Sequence, residues 1–159
     1  SSLMGFMAAQ RFSRRSRLIK TWLRVMEIFQ TEIYQQARFL PEVLERTARL
    51  VPDRELASGF ISLAAQIQFG AGAGITELWE RFVNEISKGG LIEADVQILQ
   101  ELGSYLGSTG REDQLSKIKI CKTGLEYNLQ LAEEERKKRS GVYRYLGFAS
   151  GAMLVLWLL

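Results

Sequence analysis

The 159-residue sequence predicts an all-α fold: an antiparallel six-helix bundle whose last helix continues into a C-terminal transmembrane segment. Three observations predict it. Helix formers dominate, with only two prolines and no period-2 alternation of apolar residues. Apolar residues recur instead at i, i+3, i+4 and i+7. Short breaks rich in Gly or Pro divide the chain, and none falls between Arg111 and Ser140.

Helix 1 is expected over Arg14–Phe39, with Leu18, Trp22, Val25, Phe29 and Ile33 on one stripe. Pro41 suits the first turn of helix 2, where a missing N–H removes no hydrogen bond. Val43, Leu44, Ala48 and Val51 form its apolar side and Pro52 ends it. Asp53 is placed to cap helix 3, which turns Leu56, Phe60, Leu63 and Ile67 inward. After "FGAGAG", helix 4 (Ile75–Ser87) has the cleanest pattern, through Leu78, Trp79, Phe82, Val83 and Ile86. "KGG" breaks it. Helix 5 is expected over Leu91–Leu106, packing through Ile92, Val96, Leu99 and Leu102, with "GSTG" at 107–110 making the next turn. The last helix starts near Arg111 and turns Leu115, Ile118, Leu125, Leu129 and Ala132 inward. It runs on unbroken for about 48 residues, roughly 72 Å.

The two ends differ from the middle. From Tyr145 to Leu159 the chain carries no charge for fifteen residues, about 22 Å of helix. A hydrocarbon core of about 30 Å wants about 20 residues. The run spans if Val142 and Tyr143 enter the interface and Arg144 snorkels back to it. Before it lies "EEERKKR", which can form i,i+4 pairs of Glu133, Glu134 and Glu135 with Lys137, Lys138 and Arg139. At the other end, "SSLMGFMAAQRF" reads as the tail of a second apolar segment, again followed by cations. The expected organisation is a remnant of an N-terminal membrane segment at 1–12, a helical bundle domain at 13–140 and a transmembrane helix at 141–159. Arg11, Arg14, Arg15 and Arg17, with Arg136, Lys137, Lys138 and Arg139, form basic collars beside the two apolar runs. Both collars face the domain, so the positive-inside rule puts the domain in the cytoplasm. Gly147 and Gly151 have the small-xxx-small spacing of a helix-packing face within the span.

These placements bound function. The net charge of +3 would ordinarily raise nucleic acid as a partner, but residues 21–132 alone carry eleven cations against fifteen anions. The excess positive charge belongs to the collars, whose expected partners are membrane lipids. The sequence has no histidine, the commonest general base and metal ligand near neutral pH. No catalytic, cofactor-binding or metal-binding residue is assigned. "GAGAG" before helix 4 lacks the preceding strand and the Lys-Ser/Thr pair of a phosphate loop. Cys121, at helical spacing with Ile118 and Leu125, reads as core packing.

Five stretches together, "LMGFMAAQRFSRR", "EIFQTEIYQQARFLPEVLE", "ELWERF", "LGSTGREDQLSKI" and "VYRYLGFASG", resemble the stage III sporulation protein AB family in order and spacing. Gly110 departs from the family pattern, which usually carries an acidic residue there. The resemblance implies a six-helix cytosolic domain like the F-type platform proteins of type II secretion and type IV pilus machines. It also implies membership of the channel complex between mother cell and forespore, with the domain on the mother-cell side of the outer forespore membrane. The implied partners are the secretion-type ATPase, stage III sporulation protein AA, and other membrane proteins of that complex. The domain would be a non-enzymatic platform or adaptor. Glu42, Glu45, Glu77 and Glu80 are the residues expected to dock the ATPase. The alternative is a membrane-anchored helical interaction module unrelated to sporulation.

Overall fold

The breaks in helical periodicity fall where the chain turns. The structure is a computed structural model and describes residues 2–36, 39–70, 72–106 and 110–158. Among the described residues there are six α-helices and no strand: α1 (Ser2–Gln36), α2 (Leu40–Leu50), α3 (Arg54–Gln68), α4 (Ile75–Ser87), α5 (Glu93–Tyr105) and α6 (Arg111–Leu158). Each helix packs against its neighbours in sequence, and α6 closes the ring against α1. Short connections make consecutive helices antiparallel. The turn between α2 and α3 and that between α4 and α5 therefore lie at the end of the bundle where α1 begins. The connections α1–α2, α3–α4 and α5–α6 lie at the opposite, distal end.

Local chemistry explains most boundaries. Asp53 caps α3 through a side-chain oxygen that accepts the Leu56 N–H at 2.9 Å. Pro41 sits in the first turn of α2 as expected. Gly70 and Gly72 take φ of 65° and 76°, the left-handed region that lets the chain reverse between α3 and α4. Gly110 aside, the turn expected at 107–110 lies outside the described residues, as do positions 37 and 38 near the expected end of helix 1.

Two starts differ from expectation. Helix α1 begins at Ser2, not Arg14, because nothing between Phe6 and Gln36 interrupts the helix and Gly5 alone is too weak a breaker. Helix α5 begins at Glu93, and Ile92 is its N-cap residue, 48% exposed and no part of the core.

The interior is built round aromatic rings. Trp22 of α1 packs edge-on against Phe60 of α3 and against Trp79 and Phe82 of α4, with centroids 5.8, 6.1 and 6.2 Å away. Each such pair adds about 0.5–1.5 kcal/mol beyond the area it buries. The Trp79 indole N–H donates to the Leu99 carbonyl at 2.6 Å, so this polar atom enters the core with a partner. Val25, Phe29, Ile33, Leu44, Leu99, Leu102, Ile118 and Leu125 are among the residues that pack around them.

Candidate functional site

Helices α1 and α6 form an antiparallel pair held by a series of polar rungs. From the distal end inward, the Arg111 guanidinium lies 5.7 Å from the Tyr34 ring and Lys122 pairs with Glu27 at 3.3 Å. Lys20 then pairs with Glu133 at 3.2 Å, and Arg139 stacks over Phe12 at 4.4 Å. These exposed pairs are individually weak. Together they fix which turn of α6 faces which turn of α1. The i,i+4 partner expected for Glu133 on its own helix gives way to Lys20 on α1, because the neighbouring helix brings that ammonium within reach. Glu134 accepts from the Gln130 amide.

Beyond the Arg139 rung both helices expose apolar side chains to the solvent side. On α1 these are Leu3, Met4, Phe6 and Met7; on α6 they include Leu146, Phe148, Met153, Leu154 and Trp157. The terminal part of α6 is long and apolar enough to cross a membrane by length and composition, and its most apolar stretch is not buried within the molecule. A core helix of this composition would be covered. Gly147 and Gly151 meet no other helix, since an added Cβ at either position would find nothing within 4 Å.

Just inside this end sits the most enclosed polar cluster among the described residues. Asp95, in the first turn of α5, is fully buried. One carboxylate oxygen accepts from Arg15 Nε at 2.8 Å and from the Ile92 N–H at 3.1 Å. The other accepts from Arg15 Nη2 at 3.0 Å and from Asn128 Nδ2 at 2.9 Å. All four acceptor positions of the carboxylate are thus filled, one of them capping α5. The cluster ties α1, α5 and α6 together at the first turn of α5.

The expected site residues divide accordingly. Arg11, Arg14 and Arg17 are exposed, as are Arg136, Lys137, Lys138 and Arg139. Arg15 is taken out of this surface set: it is 6% exposed and committed to Asp95. A linear cluster of cations hides this, because α1 rotates successive residues by about 100° and turns position 15 inward. Glu42, Glu77 and Glu80 are exposed and Glu45 is half-buried. All four lie on the first two turns of α2 and α4, at the distal end, on either side of α3. Glu77 also pairs with Arg81. Cys121 is buried, and burial, with Glu101 adding to it and Lys117 opposing, pushes its thiol up to about 11. It therefore stays protonated at neutral pH. Among the described residues, no group of three or more His, Cys, Asp or Glu is placed to hold a metal ion.

Sequence reading missed Asp95 and Asn128. A signal was present. Asp95 shares a helix face with Leu99 and Leu102, and Asn128 with Cys121, Leu125 and Ala132, so each is a polar residue at a core position.

Fold and site together define a class: an all-helical bundle whose long closing helix carries a bare apolar segment able to cross a membrane. The chain belongs to the stage III sporulation protein AB family, whose model matches residues 1–159. It is 24% identical over 156 residues to Stage III sporulation protein AB of Bacillus subtilis (strain 168), covering 98% of this chain and 90% of that protein. A solved structure of Stage III sporulation protein AB (SpoIIIAB) shares the fold with a TM-score of 0.68 at 20% identity, covering 79% of this chain and 98% of that one. The family match takes in all five stretches quoted above, and the protein is one of the sporulation proteins.

Proposed function

We propose that the protein is a non-enzymatic membrane platform of a sporulation channel complex between mother cell and forespore. The bundle stands in the mother-cell cytosol against the outer forespore membrane, in the manner of the F-type platform proteins of secretion and pilus machines. Its distal end receives a secretion-type ATPase resembling stage III sporulation protein AA. The other membrane proteins of the complex meet it within the bilayer, where Gly147 and Gly151 offer a close-packing face.

The observation that carries this reading is the unbroken course of α6. One 48-residue helix packs against α1 and α5 and then runs on as a bare apolar rod. A load applied to the distal end reaches the apolar segment without passing through a flexible joint. The buried Arg15–Asp95–Asn128 cluster supports this, since it holds α1 and α5 in fixed relation to the helix that runs on as the rod. Exposed cations beside the apolar segments suit anionic headgroups. The glutamates at the far end suit a partner with basic contacts.

Charge reversal tests the docking face. Glu42→Lys, Glu45→Lys, Glu77→Lys and Glu80→Lys are made singly and together in the full chain, and capture of the ATPase is measured. Loss of capture with an unchanged melting temperature is the expected result. Undiminished capture by the quadruple variant would remove this face from consideration.

A further inference from the structure

The turn between α4 and α5 forms, with α1, a cleft that the collar residues alone do not define. It has a volume of about 970 Å³ and lies between the first turns of α1, residues 87–92 and Arg139 of α6. That size suits a small-molecule ligand. Besides Arg15, four cations line it, Arg11, Arg14, Lys88 and Arg139, and among the described residues no carboxylate does. Arg15 also reaches the wall, with its charge already matched by Asp95. Lys88 pairs directly with Glu85 at 2.9 Å, but both side chains are about three-quarters exposed, so that contact is weak and readily exchanged. The rest of the wall is apolar, through Met4, Met7, Leu91 and Ile92. Gly90 shapes the floor. Its φ of 140° disfavours a side chain, and the stem of Arg14 lies over it, 3.6 Å from where a Cβ would stand.

Arg11 and Arg14, which face no carboxylate among the described lining residues, beside an exposed apolar wall call for a ligand with an anionic head and a hydrocarbon body. A free phosphate would use the first half of the cleft and leave Met4 and Met7 in water. We propose that the cleft holds one anionic phospholipid. Its phosphodiester lies against Arg11 and Arg14, with Lys88 and Arg139 flanking, and an acyl chain follows Met4 and Met7 towards the bilayer. This rests on the reading of α6 as a membrane anchor and adds to it a defined site that includes the α4–α5 turn.

Native mass spectrometry of the full chain in detergent, titrated with phosphatidylglycerol, tests the site. One lipid is expected to stay bound at low lipid excess. Arg11→Gln with Arg14→Gln should weaken that binding by roughly 25-fold, about five-fold per cation. Lys137→Gln with Lys138→Gln removes the same charge from the collar outside the cleft and should weaken retention of this one lipid clearly less. Equal weakening by both pairs overturns the cleft and leaves only a diffuse basic collar. Equal retention of phosphatidylcholine overturns anionic recognition, and displacement by millimolar inorganic phosphate overturns the lipid as occupant. Flotation of the full chain with phosphatidylglycerol vesicles is the separate check on anchoring, and its failure would remove the premise.

Discussion

The Asp95 carboxylate receives four hydrogen bonds, from α1, from α6 and from the N-cap residue of its own helix, and has no acceptor capacity left. A buried ion pair of this kind is weak evidence for net stability, because desolvating both charges offsets most of their attraction. Removing one partner is another matter. Asp95→Ala leaves the Arg15 guanidinium buried without an anion and strips the α5 cap. The expected cost is about 3–5 kcal/mol, a fall in Tm on the order of 10 °C in a chain of this size. Arg15→Met with Asp95→Leu should recover much of that loss. A double variant as unstable as Asp95→Ala would mean that the cluster acts through the cap and Asn128, with little from the ion pair. Residue type and local order obscured this site in the sequence. Arg15 stands among four other cations within ten positions, and its inward direction emerges only when 15, 19, 22, 26, 29 and 33 are seen as one face. That face is the core stripe of α1.

At the scale of elements, periodicity was legible wherever a helix has one apolar side against the core. Helix α4 was readable to the residue for that reason, and Asp53 announced α3 through its capping chemistry. The starts of α1 and α5 were not: α1 runs on through Gly5, which alone breaks no helix, and the start of α5 depends on a tertiary contact. Position 92 looks like the first core residue of α5, yet its N–H is held by a buried Asp95 whose own partner lies 80 residues away. The approach of α4 to α5 was also hidden. A Cβ added at Gly103 would fall inside the Trp79 ring, which is itself fixed by its bond to the Leu99 carbonyl. Gly103→Ala therefore gains helix propensity but must displace an indole at the centre of the core. The expected net cost is about 1–3 kcal/mol, with a change in Trp near-ultraviolet ellipticity as the rings rearrange. A variant more stable than the parent, with unaltered ellipticity, would show that the two helices separate without cost.

For the whole molecule, charge and hydropathy share one axis. Exposed cations gather where α1 and α6 lose their polar faces, and the docking glutamates proposed above lie at the other end. The two runs of cations are visible in the sequence because they flank uncharged runs, whereas the cleft behind them needed the α4–α5 turn to fold back beside α1. The positive-inside rule then gives an orientation that labelling can read. Cys121 can remain in place: buried, with its thiol pushed up to about 11, it offers little thiolate to a maleimide at neutral pH. Thr76→Cys puts an exposed thiol on the distal part of the bundle, and Leu158→Cys puts one at the far end of the apolar segment. In intact bacteria expressing the full chain, a membrane-impermeant maleimide should label position 158 and spare position 76 until the membrane is permeabilised. Replacing Arg136, Lys137, Lys138 and Arg139 by Gln should weaken the bias and yield labelling of both positions in the same population. Labelling of position 76 in intact cells carrying the parent collars would place the bundle on the opposite side and withdraw the cytosolic ATPase from the proposal.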